Sequence, residues 1–117
     1  MRRETKFRVW DKDENRFWYF TLQEILERRL SYRGSWDEKV ATGEKNQYTG
    51  VNDKNGKKIY EGDILEHRYI VSYVDGSDGA NLGMNVGFYE QRDNFESWSE
   101  LVVGREYEVI GNIYENP

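Results

Sequence analysis

The sequence predicts a mainly β chain with one short helix, closed into a small barrel or sandwich. Three observations predict it. Short β-prone segments follow one another at close intervals, glycine-bearing turns separate them, and only one stretch carries a good helix signature. The chain has 117 residues and a mass of 14.0 kDa, which fits one domain and leaves no room for two. Leu, Ile, Val and Phe together number 26, about 22 % of the chain, just above the roughly 20 % below which a charged chain stays disordered. Adding four Trp and nine Tyr supplies enough apolar surface for a core.

The elements follow in order. Lys6 to Trp10 and Arg16 to Phe20 are β-prone, and the polar run Asp11-Lys12-Asp13-Glu14-Asn15 between them turns the chain into a hairpin. Thr21 opens the helix: with Glu24 three residues on it makes a capping box, and Phe20 with Ile25 makes a hydrophobic staple. Leu22, Ile25, Leu26 and Leu30 share a face at helical spacing, and Arg28 and Arg29 complement the dipole in the last turn. Residues 31 to 46 hold Gly34, Gly43 and many charges and read as a long connection, with Trp36 as an anchor into the domain. From Gln47 the composition is that of an all-β unit. Asn55-Gly56 predicts a type I′ hairpin turn, Lys57 to Tyr60 a strand, and Glu61-Gly62-Asp63 a second turn. Ile64 to Val74 reads as one long strand with Leu65, His67, Tyr69, Val71 and Tyr73 on one face. After a loop over Asp75 to Gly83, Met84 to Tyr89 reads as a strand with Met84, Val86 and Phe88 on one side. Trp98 to Val103 and Tyr107 to Tyr114 complete the set.

Charge is polarised along the chain. Residues 1 to 58 carry 14 Lys and Arg against 10 Asp and Glu, and residues 59 to 117 carry 3 against 12, so +4 is followed by −9. Two readings compete. In the favoured one the halves satisfy each other within the fold or between subunits; in the other the basic half faces nucleic acid, against a net charge of −5 that opposes phosphate.

Several chemistries are excluded. Without cysteine there is no disulfide framework, no thiolate nucleophile and no Cys-bearing zinc module. His67 is the only histidine, so a zinc pair is missing, and it reads as a half-buried strand residue. Asp11, Asp13 and Asn15 mimic the opening of a calcium loop, but Arg16 and Leu22 occupy the places of its glycine and bidentate Glu. Asn55-Gly56-Lys57-Lys58 lacks the first glycine and the hydroxyl residue of a phosphate-binding loop. Glu106 and Glu108 would share a strand face and repel, with no enclosed cleft indicated. The chain is expected to be no enzyme, with no catalytic, metal or cofactor-binding residues. It has no apolar run long enough to span a membrane, and Met1-Arg2-Arg3-Glu4 leads into no signal-type stretch, so a cytoplasmic protein is expected. The 18 aromatic residues read mostly as core, with one or two tryptophans left for a contact site.

Three blocks together resemble a known family. They are Lys6-Phe7-Arg8-Val9-Trp10-Asp11-Lys12, then Gln47-Tyr48-Thr49-Gly50 through Asp53-Lys54-Asn55-Gly56 to Ile59-Tyr60-Glu61-Gly62-Asp63-Ile64, and Tyr107-Glu108-Val109-Ile110-Gly111-Asn112-Ile113-Tyr114-Glu115-Asn116-Pro117. The chain resembles the YopX family of phage and prophage proteins from end to end. The resemblance implies a single domain over 1–117, with hairpin, helix and connection in 1–46 and an SH3-like barrel or roll in 47–117. It implies a phage-encoded accessory protein acting in the cytoplasm of a bacterial host, and it brings no biochemical activity with it. Its glycines at 50, 56, 62 and 111 transfer as fold markers, each at a turn, bulge or close crossing. Asp63 is placed to cap backbone N–H groups of its turn.

The expected function is therefore a non-catalytic interaction or self-assembling module. Its partner is a host or phage protein, or a second copy of the chain. The alternative is a small nucleic-acid-binding barrel using Arg2, Arg3, Lys6, Arg8, Trp10 and Trp18, basic residues interleaved with rings that stack bases.

Overall fold

The computed structural model describes residues 5–24, 44–76 and 84–115. The chain is mainly β, with 54 % of these residues in strands, as the sequence predicts. The strands are β1 (Lys6–Asp11), β2 (Arg16–Thr21), β3 (Lys45–Asn52), β4 (Lys58–Tyr60), β5 (Asp63–Leu65), β6 (Tyr69–Val74), β7 (Gly87–Arg92), β8 (Ser97–Glu100) and β9 (Val109–Asn112). The chain divides into two compact units, Met1–Tyr48 and Thr49–Pro117. The expectations for Ile25 to Leu30, the Arg28-Arg29 pair, Trp36 and most of the connection and of the 75–83 loop lie outside the described residues, as do Arg2 and Arg3.

In the first unit, β1 and β2 form the expected antiparallel hairpin, in register from Lys6↔Thr21 to Asp11↔Arg16. Asp11 builds its turn. Its Oδ1 accepts the N–H groups of Asp13 (3.0 Å) and Glu14 (3.2 Å), while Oδ2 accepts the Trp18 indole N–H at 2.9 Å. The two-residue period then sorts the side chains. Val9 and Phe20 are buried on one face, with Phe7 and Trp18 packed against them. Arg8, Trp10, Phe17 and Tyr19 share the other, where Trp10 meets Phe17 edge-on at 4.8 Å. The first half of β3 pairs with β1, setting Asn46 beside Arg8. Past β2, the capping box is made as expected: Thr21 N–H donates to Glu24 Oε1 (3.0 Å) and Glu24 N–H to Thr21 Oγ1 (3.2 Å).

In the second unit, β3 continues and pairs with β4 through the turn at Asp53 to Lys57. The turn is not the expected type I′. Asn55 keeps an ordinary φ and only Gly56 is left-handed (φ 81°), with Gly56 N–H donating to Asp53 O at 3.0 Å and Asp53 N–H to Lys57 O at 2.7 Å. This is a three-residue loop closed by a glycine bulge. At the next turn Gly62 has φ 85° and, as expected, the Asp63 carboxylate accepts a backbone N–H, that of Tyr60, at 2.8 Å. Strands β8-β7-β6-β5-β9 then form one antiparallel sheet in that order, curled into a half-barrel. A register shift between Ile64 and Leu65 contributes to the bend. Val51, Ile59, Leu65, Val71 and Tyr107 are buried together in its core, backed by Tyr69, Leu101 and Val109. Each such side chain contributes about 1.5–3 kcal/mol relative to exposure. Val74, Met84 and Tyr89 make a smaller cluster.

Further sequence expectations are corrected. Ile64 to Val74 is no single strand: Glu66-His67-Arg68 form a 3-10 turn, with His67 at φ 63° and Arg68 at φ 65°, and β5 and β6 fold back on each other. Three consecutive polar residues leave no apolar side chain to hold a strand through that point, so the chain reverses. His67 is consequently exposed on the turn rather than half-buried in a strand. Leu65, Tyr69 and Val71 still share the core face, because Leu65 lies directly opposite Tyr69, but Tyr73 at the far end is 44 % exposed. Strand β7 begins at Gly87, so Met84 is buried while Val86 is exposed, and they do not share a side with Phe88. Finally, β8 and β9 are shorter than expected; Val102 and Val103 lie in a loop beyond β8, and Tyr114 lies in a turn whose N–H is accepted by Asn112 Oδ1 at 3.0 Å.

Candidate functional site

A cleft of about 280 Å³ opens in the second unit where three turns meet. The β5–β6 turn brings Glu66 and His67, the approach to β9 brings Arg105, Glu106 and Glu108, and β7 brings Glu90. Backbone bonds fix the junction. Lys54 N–H donates to Tyr107 O at 2.8 Å and Glu66 N–H to Glu108 O at 3.2 Å, so the bulge turn, the 3-10 turn and the β9 approach are joined at their main chains.

Asp53 is the keystone of that junction. One carboxylate oxygen accepts the N–H groups of Asn55 and Lys57, both at 2.9 Å, and the other accepts Val109 N–H at 3.2 Å across 56 residues of sequence. Burial alone would raise its pKa; the N–H groups of Val109, Lys57 and Asn55, with the Lys57 charge, outweigh burial and hold it below the usual carboxylate range.

Above Asp53 the acids of the cleft are crossed by a cation. Lys54 Nζ lies 3.3 Å from Glu108 and 4.0 Å from Glu66. The hydrogen bond and charge of Glu108, followed by the charge of Glu66, raise the Lys54 pKa above its ordinary value. Deeper in, Glu90 accepts Ser99 Oγ–H at 3.0 Å and stands 3.8 Å from Arg105. Tyr69 Oη meets Ser97 Oγ at 2.8 Å, and Arg92 caps the Tyr69 ring at 4.9 Å while donating to His67 O at 3.2 Å. Glu106 and Glu108 therefore do not face each other from a strand; they precede β9 and look onto Lys54. The sequence signals neither the cleft nor the Lys54 bridge, since both arise from turns far apart in the chain.

The residues singled out for nucleic acid fall differently. Lys6, Arg8 and Trp10 share one face of the β1–β2 hairpin and Trp18 lies on the opposite one, because Trp18 pairs with Val9. Arg8 is only 3 % exposed, its guanidinium 4.0 Å above the Phe17 ring and its Nε 3.4 Å from Asn46 Oδ1. Trp18 is covered by the Arg16 guanidinium at 4.3 Å. Among the described residues no group of three or more His, Asp or Glu is arranged to hold a metal ion. No described helix is long and apolar enough to cross a membrane.

Curled sheet, glycine-bulged turn and Asp-bonded junction define a small β-rich module built around turn-forming motifs spread over the whole chain. The model of the family described as YopX protein matches residues 6–117, and the chain belongs to that family. No curated protein matches it.

Proposed function

We propose that this YopX-family chain is a phage or prophage accessory protein that works in the host cytoplasm by binding another protein, without catalysing a reaction. The observation that carries the reading is the composition around the cleft. Val102 and Val103 stand exposed on the loop whose continuation lines it, Val103 at 76 %, in a chain of net charge −5. Adjacent apolar residues on a loop tip beside a charged cleft make a protein-contact surface, an apolar anchor with a polar rim. The cleft carboxylates are meanwhile engaged by Lys54 and Arg105, which suits recognition better than proton transfer.

The test is affinity capture from the lysate of a lysogenic host, read by mass spectrometry. The wild-type chain should retain a host or phage protein that a Val102→Asp/Val103→Asp variant with unchanged melting behaviour does not. Identical recovery by both, or recovery no different from bare resin, would refute the reading.

A further inference from the structure

We infer that the free edge of the five-stranded sheet, β8, pairs with β8 of a second copy of this chain; the inference rests on the binding role above and names one partner for it. Strand β8 is the last in its sheet. Its inner side is settled by Leu101 N–H donating to Phe88 O at 3.0 Å, which makes Phe88 and Leu101 a hydrogen-bonded pair. By the antiparallel alternation Glu90 and Ser99, and Arg92 and Ser97, are hydrogen-bonded pairs too. Trp98 and Glu100 therefore turn their N–H and C=O groups away from β7, where no described residue takes them up. Among the described residues no segment is bonded to this edge, and Ser97, Trp98, Ser99 and Glu100 include neither proline nor lysine, Glu100 being the one charge they carry. Trp98 stands at this edge 44 % exposed, supported from behind by an edge-on contact with Tyr89 at 5.4 Å.

Charge selects the occupant and its register. Two β8 strands related by a two-fold axis can align their outward groups in three ways. Pairing Glu100 with Glu100 of the other copy, or Trp98 with Trp98, sets like charges opposite each other, in the second case Glu96 against Glu100. Centring the axis on Ser99 avoids both: Trp98 exchanges its main-chain bonds with Glu100 of the other copy, and Ser99 faces Ser99 in a non-hydrogen-bonded pair. The sheets join into one, and each Trp98 ring lies beside a glutamate stem. The strand is four residues long, so the pairing is a weak, transient one. Because each copy carries net −5, salt strengthens it by screening the repulsion between copies.

The chain has no cysteine, which makes the register directly readable. In a non-hydrogen-bonded antiparallel pair the Cα atoms lie about 4.5 Å apart, within disulfide reach. Under mild oxidation Ser99→Cys should give a covalent dimer, and Trp98→Cys and Asn55→Cys should give at least tenfold less. Sedimentation of the wild-type chain should show a monomer–dimer equilibrium that shifts toward dimer as salt rises. Ser99→Lys, which can rest on Glu90 in the monomer but faces its own copy in the dimer, should weaken association about tenfold. A monomer at every concentration and salt, or equal cross-linking by all three cysteine variants, overturns the pairing. A chain that stays monomeric yet still loses its captured partner on Val102→Asp/Val103→Asp would sink self-pairing and leave the binding role standing.

Discussion

Asp53→Asn is the substitution with the most to say about how the second unit holds together. The native carboxylate receives three backbone N–H groups, two within its own turn and one from β9. Hydrogen bonds to a charged acceptor contribute about 1.5–3 kcal/mol each, less where water can replace the lost partner. Asn55 and Lys57 are exposed, so water can reach their N–H groups. Val109 is half-buried, and the introduced side-chain amide would either turn its NH2 toward the Val109 N–H, donor to donor, or leave the turn donors unmet. The expected loss at pH 7 is about 2–4 kcal/mol, mostly from the β9 contact. The pH dependence has a definite sign. Because the folded-state pKa lies below 3.8, the carboxylate contributes stability above pH 3.8 that is lost as pH falls through the folded value. The wild type should therefore weaken steeply below about pH 3.8, and Asp53→Asn should lack that part of the slope. Urea unfolding at pH 7 and pH 3, with hydrogen exchange at the Val109 amide as the local probe, measures both. A variant within about 0.5 kcal/mol of wild type at pH 7, or one whose Val109 amide stays as protected, would refute the keystone role.

Other substitutions separate the contributions further. Leu65→Ala, which opens a cavity in the half-barrel core, should cost about 2–5 kcal/mol in denaturant unfolding. Gly56→Ala meets no atom within 4 Å, so any loss in its melting temperature must come from the left-handed φ of 81° alone, about 1–2 kcal/mol. Lys54 and Tyr89 both have raised pKa values, Tyr89 through burial and its bond to Glu100. Their contributions are present below their unfolded pKa values and are lost as pH rises past about 10, so alkaline melts of Lys54→Met and Tyr89→Phe should fall less steeply than the wild type.

What the sequence disclosed was local. The β1–β2 hairpin is written in one continuous stretch, Lys6 to Thr21, and the Thr21–Glu24 capping box and the Asp63 cap in residues three positions apart, and periodicity and turn chemistry find them. The break at Glu66-His67-Arg68 escaped because Leu65, Tyr69 and Val71 keep the same parity whether the chain runs straight or folds back by an even step. The Asn55-Gly56 signal located a turn but not its type, since the Asp53 carboxylate stabilises the bulged loop in which only Gly56 needs a positive φ. The cleft was invisible for a stronger reason. Its walls come from residues 65–69, 90 and 105–108, and nothing in their local pattern announces that Lys54 will lie between Glu66 and Glu108.

The aromatic excess is partly taken up by arginines within each unit. Arg8 rests over Phe17, Arg16 over Trp18 and Arg92 over Tyr69, at 4.0, 4.3 and 4.9 Å. A guanidinium over a ring contributes roughly 0.5–2 kcal/mol and leaves the ring less available to a base. These three rings therefore pack against their own unit on one side and seat a cation on the other. Arg8 shows the consequence most clearly: it is 3 % exposed in a hairpin that the sequence alone would offer to phosphate. Among the described residues no such cation covers Trp98, whose ring meets Tyr89 edge-on. A ring supported from behind and open in front, on a strand whose outward main-chain groups no described residue takes up, is placed for contact with another chain rather than for closing its own.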